Sequence, residues 1–104
     1  MDEVTTITEL TELITEYRER ENLDRLDTTQ ELIKAVTVEA GELLGADTFN
    51  LVVHKERVAQ ELADVLIYSF ALADYLGFDV DDIIREKIEY NIKRGRKYGG
   101  PNHV

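Results

Sequence analysis

Four carboxylates fall in two pairs with helical spacing. Glu39 and Glu42 lie in TVEAGELLGAD, and Glu61 and Asp64 lie in ELADVLIY. A spacing of i, i+3 puts both members of a pair on one face of a helix, about one turn apart. Each pair occupies the least charged part of its segment, although 33% of the chain is charged. If the two segments pack together, four carboxylates converge where water is scarce. Like charges in low dielectric repel and each loses hydration, so the arrangement requires a counter-charge. Basic side chains could provide it, but these two segments offer only Lys34, His54, Lys55 and Arg57. A divalent cation fits better, and an all-oxygen ligand set points to Mg²⁺, with Mn²⁺ as a substitute. A di-iron centre needs Glu-x-x-His on two helices, and neither His54 nor His103 stands three residues after a glutamate. One such pair alone is also what a solvated acidic face produces in a chain with 22 Asp and Glu. Two pairs in uncharged helix interiors are what single these residues out.

Helices must position these groups, because apolar residues recur with helical spacing and no run alternates long enough for a strand. The first helix is expected over about 5 to 21, with Ile7, Leu10, Leu13, Ile14 and Tyr17 as its stripe. Thr28 and Glu31 have the spacing of a capping box and open a second helix to about 45, where Gly45 is a plausible stop. A loop through Asn50 leads to a third helix over about 53 to 76, closed by Gly77. Asp79 caps a fourth over about 80 to 94, and Gly95 ends it. The expected architecture is an all-α four-helix bundle, one domain over 1–98 followed by a flexible tail, 99–104. From Leu62 to Ala73 the only charge is Asp64, so apolar side chains cover nearly the whole circumference of that helix. Four helices in one chain can hardly bury one of their number on every side. A symmetric oligomer solves this, a two-fold dimer being the simplest, with an unusually apolar core helix as the alternative.

Composition narrows the classes further. There is no cysteine, hence no disulfide framework and no thiolate metal site. With no signal-peptide pattern at the start, a cytoplasmic location is expected. The run VLIYSFALA is far short of the roughly 20 residues a membrane helix needs. A net charge of −10 argues against binding a nucleic acid polymer or an anionic membrane. Yet Lys93, Arg94, Arg96 and Lys97 form a basic end with no acidic residue after Asn91. That end is either a polar tail or a holder of a small anion such as phosphate.

EAGELL followed after a spacer by ELADVLIY resembles the MazG-like all-α nucleoside triphosphate pyrophosphohydrolases, whose signature is E-x-x-E, a variable spacer, then E-x-x-D. The likeness runs over roughly residues 20 to 98 and is closest to the small dCTP-pyrophosphatase-like branch. KIEYNIKRGRKY is similar to that branch's segment of Lys, Asn four residues later, then basic residues and Tyr. The resemblance implies Mg²⁺-dependent hydrolysis of a nucleoside triphosphate to the monophosphate and pyrophosphate, in a homodimer or homotetramer, as nucleotide-pool housecleaning. It makes Glu39, Glu42, Glu61 and Asp64 the metal site, with Glu39 or Glu42 as the catalytic base. Tyr68 would approach the sugar or base, where the alternative is ordinary core packing. Lys87 and Asn91 would contact phosphate and nucleotide, Lys93, Arg94 and Arg96 more weakly the phosphates, and Phe49 would stack on the base or plug the core. The chain departs from the pattern at Val38, where many relatives have a further glutamate. It departs again at Leu23 and Asp27, about where the branch has Trp and His near the base. Base preference therefore cannot be carried over. A non-catalytic helical oligomerisation module and a nucleotide-sensing relative are the competing readings.

Overall fold

The computed structural model describes residues 5–46 and 55–95. They form four helices: α1 (Ile7–Arg20), α2 (Thr29–Ala46), α3 (Lys55–Tyr75) and α4 (Val80–Lys93). No strand occurs among the described residues. Each boundary has a local cause. Thr6 caps α1 by a reciprocal box with Glu9, an N-terminus the sequence reading placed without its cap. Thr28 Oγ1 accepts from the Glu31 N–H at 3.0 Å and starts α2. Asp79 accepts from the N–H groups of Asp81 and Asp82 at the head of α4. Gly77 and Gly95 follow α3 and α4 with φ of 77° and 74°, the left-handed conformation that lets the last carbonyls be satisfied. Gly45, expected as a stop, stays helical, and α2 runs on to Ala46.

The helices α2 and α3 make the most extensive contact, and α1 packs on α3. Glu39 lies about two turns before the end of α2, and Glu61 and Asp64 about two turns into α3. Those equal offsets are those of an antiparallel helical hairpin. Ile14, Leu32, Ala46, Ala71, Ala73 and Val80 are the buried apolar residues among those described. Leu32, only 1% exposed, is the largest of them that is fully enclosed.

Helix α4 makes no extended contact with the other three. Val80 is its one buried residue, whereas Ile84, Ile88 and Ile92 on the next turns are 51%, 53% and 70% exposed. Its strong amphipathic pattern therefore has an apolar stripe with no cover from its own chain. A second uncovered apolar surface runs between α1 and α3, a groove of about 610 Å³ bounded by Leu10, Leu13, Tyr17, Leu66 and Phe70. None of the helices is long and apolar enough to cross a membrane.

Candidate functional site

The α2–α3 hairpin brings Glu39 together with Glu61 and Asp64. Each contributes a carboxylate oxygen, and the three oxygens lie within 4.8 Å of one another. Glu39 Oε1 and Glu61 Oε1 are buried with no hydrogen-bond partner. A buried carboxylate oxygen without a donor is costly, more so beside two like charges. Burial, followed by the charges of Glu42, Asp64 and Glu61, pushes the Glu39 carboxyl above its ordinary pKa. Glu42, on the exposed side of α2, stands outside the group of three but acts on Glu39 through its charge and a hydrogen bond.

Whether these residues suit a metal can be tested on the atoms themselves. Two orphaned buried oxygens and a third carboxylate on one small volume form an all-oxygen donor set. No basic residue is paired with any of the three among the described residues. The residues fit a hard divalent cation, and Glu39, Glu61 and Asp64 would hold it. A second acidic group, Asp79, Asp81 and Asp82, is wholly exposed. It is accounted for by the cap of α4 and by the 2.7 Å pair of Asp81 with Arg85.

A cavity of about 190 Å³ opens beside the carboxylates. It is lined by Tyr17, Leu23, Glu39, Asp64, Ile67 and Tyr68. Tyr68 thus shares a cavity with Asp64, as expected from their one-turn separation on α3.

Arg18 also lines this cavity, and the sequence reading missed it. Only 6% exposed, it donates from Nη1 and Nη2 to the two oxygens of Asp27 at 2.8 and 3.1 Å. Nη2 also reaches the Leu23 carbonyl at 3.2 Å. The guanidinium carbon lies 5.5 Å from the centre of the Tyr68 ring. The hydrogen bonds to Asp27 raise its pKa above the ordinary arginine value, against the opposing effect of burial. Arg18 comes from α1, outside the two helices that carry the carboxylates. Its position was available in the pattern, since Arg18 follows Leu10 and Ile14 at steps of four on the inner stripe of α1.

Lys87, Asn91 and Arg94 are not brought to the carboxylates within one chain. Lys87 and Arg94 each lie 4.8 Å from the Tyr90 ring centre, on the outlying α4. Asn91 is half-buried, with its Oδ1 enclosed and unpartnered. Phe49, Arg96 and the tail 99–104 lie outside the described residues.

Residues 24–101 match the model of the family described as MazG-like. Comparison with curated proteins and with solved structures gave no match.

Proposed function

The chain belongs to the MazG-like family, and from that premise we propose that it cleaves the α–β phosphoanhydride of a nucleoside triphosphate with water. The products are the monophosphate and pyrophosphate. The observation that carries this reading is the convergence of Glu39, Glu61 and Asp64, with two of their oxygens buried and unpartnered. Glu39, Glu61 and Asp64 would hold a hard divalent cation, Mg²⁺ or Mn²⁺, which when bound would supply positive charge to the triphosphate oxygens and make a nearby water more acidic.

The chain's own groups do the rest. Glu39, Glu61 and Asp64 set the position of the triphosphate by the place at which their oxygens meet. Glu42, outside that group of three, accepts the proton of the attacking water as general base. Tyr68, which lines the same cavity, bounds the sugar or base. Placement in the small dCTP-pyrophosphatase-like branch is part of the same proposal and rests on the Lys87–Asn91 spacing in KIEYNIKRGRKY.

The proposal includes a homo-oligomer. The uncovered stripe of Ile84, Ile88 and Ile92 and the apolar groove between α1 and α3 support it, since soluble monomers rarely carry such patches. In an assembly, Lys87, Asn91 and Arg94 act on the site of a neighbouring copy, where positive charge offsets that developing on the leaving pyrophosphate.

Pyrophosphate release measured over a panel of ribo- and deoxynucleoside triphosphates tests the reading. Turnover is expected with Mg²⁺, with Mn²⁺ as a substitute, and none after exhaustive chelation. Absence of turnover with every substrate would refute hydrolysis. Nucleotide binding would then favour a sensing relative, and its absence a helical interaction module.

A further inference from the structure

The direction in which α4 leaves α3 is fixed by hydrogen bonds. The Phe78 N–H donates to the Ala73 carbonyl at 2.8 Å and the Gly77 N–H to the Asp74 carbonyl at 3.0 Å, with Gly77 in the left-handed conformation. These are the two bonds of a Schellman motif. The next residue, Asp79, caps α4 with its side chain. The connection is thus bonded at each step, and α4 is not free to swing back over its own chain without breaking it. Its stripe of Ile84, Ile88 and Ile92 stays bare.

The uncovered groove between α1 and α3 has the length of that stripe. It runs from Leu10 to Tyr17 on α1 and from Ala63 to Phe70 on α3, and every residue lining it is apolar or aromatic. At 1.5 Å per residue each of these stretches rises about 10.5 Å, and Ile84 to Ile92 rises about 12 Å. An amphipathic helix fills such a groove with side chains spaced one turn apart.

Charge agrees with shape. Tyr17 and Ile67 line both the groove and the carboxylate cavity, so the two adjoin along these residues. Glu39, Glu61 and Asp64 have no basic partner among the described residues. On α4, Lys87 and Arg94 are seven positions apart and lie along one side of the isoleucine stripe. Neither forms an ion pair among the described residues; each rests on the Tyr90 ring instead. A helix in the groove with this side toward the cavity sets unpaired positive charge beside unpaired negative charge.

We infer that the groove is the docking site for α4 of a second copy, exchanged reciprocally between two chains. Each chain carries one groove and one stripe, so a two-fold pair covers both on each chain and leaves neither open. Packing α4 of one copy on α4 of the other covers the stripe and leaves the groove bare. Packing groove on groove does the reverse. The inference rests on the assembly proposed above and names the surfaces that meet in it.

The chain has no cysteine, so introduced thiols report contact without interference. Leu66, near the middle of the groove on α3, and Ile88, in the middle of the stripe, are both half-exposed and lie outside the core. Leu66→Cys, Ile88→Cys and the double variant are made in the full chain, and light scattering checks that each keeps the wild-type mass. Each is then oxidised mildly, the products are separated without reductant, and the bridged peptides are identified by mass. A disulfide needs Cα atoms within about 7 Å, so a bridge marks positions that meet. The double variant is expected to give a covalent dimer bridged between positions 66 and 88. It should form at least about tenfold faster than a dimer of either single variant, because docking raises the local thiol concentration. If a replacement weakens the assembly, Ala63→Cys with Ile84→Cys or with Ile92→Cys takes its place, one for each direction in which the helix can lie.

A dimer bridged 88 to 88 at the same rate would put α4 on α4, and one bridged 66 to 66 would put groove on groove. Either overturns the inference and leaves an assembly standing. A bridge within one chain of the double variant would mean that α4 covers its own groove, which overturns it too. So does the absence of any bridge in protein of wild-type mass. A single-chain mass for wild type removes the assembly along with it. Whether the carboxylates support turnover is read separately by pyrophosphate release, so failure here and failure of the hydrolase reading are told apart.

Discussion

Replacing Glu61 by Gln separates a carboxylate group built to hold a cation from one that holds the helices together. The change keeps the side-chain shape and removes one negative charge from a set of three whose oxygens lie within 4.8 Å. At that distance a like-charge pair costs about 3.5 kcal/mol at an effective dielectric of 20 and about 0.9 kcal/mol in water. Asp64 is exposed, so its share falls near the lower figure, whereas half-buried Glu39 lies between the two. Glu61 Oε1 has no hydrogen-bond partner to lose. Relief of about 1–3 kcal/mol is therefore expected in the cation-free protein. Even 1 kcal/mol corresponds to a rise of about 4–8 °C in melting temperature for a domain of this size. With Mg²⁺ the order should shift, because a ligand that binds the folded state adds stability in proportion to its affinity, and wild type binds it better. Turnover should fall by about a hundredfold or more, as when a charge-stabilising group is lost. Calorimetric melts in EDTA and in Mg²⁺ at equal protein concentration, with a pyrophosphate assay, read all three effects. An E61Q protein that melts well below wild type in EDTA and still turns over would refute the reasoning.

The opposite sign is expected at Asp27. Asp27→Ala strands the buried Arg18 guanidinium and should lower stability by about 3 kcal/mol, measured by urea unfolding; an unchanged midpoint would count against the pair. Glu39 gives a pH signature. Its raised pKa means the folded state keeps a proton that the unfolded chain has released. Stability of the cation-free protein should accordingly fall as pH rises from the ordinary glutamate value through the raised one, and improve as pH is lowered back through it. Glu39→Gln should flatten that part of the melting profile, and parallel profiles would contradict it. Light scattering at micromolar concentration should give a mass above the 11.9 kDa of one chain. Ile88→Asp, on the uncovered stripe of α4, should reduce that mass. A wild-type mass of a single chain would remove the basis for the assembly.

Much of this protein was legible in the sequence because its signals are local. Helix ends follow from short-range chemistry. Asp79 caps the turn that follows it, Thr28 reaches Glu31, and Gly77 takes up a left-handed φ, each without reference to anything distant in the chain. The pairing of Glu39 with Glu61 and Asp64 was also foreseeable. Two carboxylate pairs in otherwise uncharged stretches, on consecutive helices, have few ways to be arranged once those helices form a hairpin. Local chemistry gives no unique answer at Gly45, which could end a helix or continue one; it lies within α2, one residue before the end at Ala46.

Tertiary structure alone decided what surrounds the carboxylates. Arg18 and Asp27 look like two more charges in a chain rich in them. Only the packing of α1 on α3 turns Arg18 inward, beneath Tyr68 and across the connection to α2. The position of α4 belongs here too. Its amphipathic pattern states that one face seeks cover, and it does not say whether that cover comes from its own chain. Helix formation is governed by residues within a turn or two of one another. Which faces meet depends on burial summed over elements far apart in sequence, and no single segment carries that information.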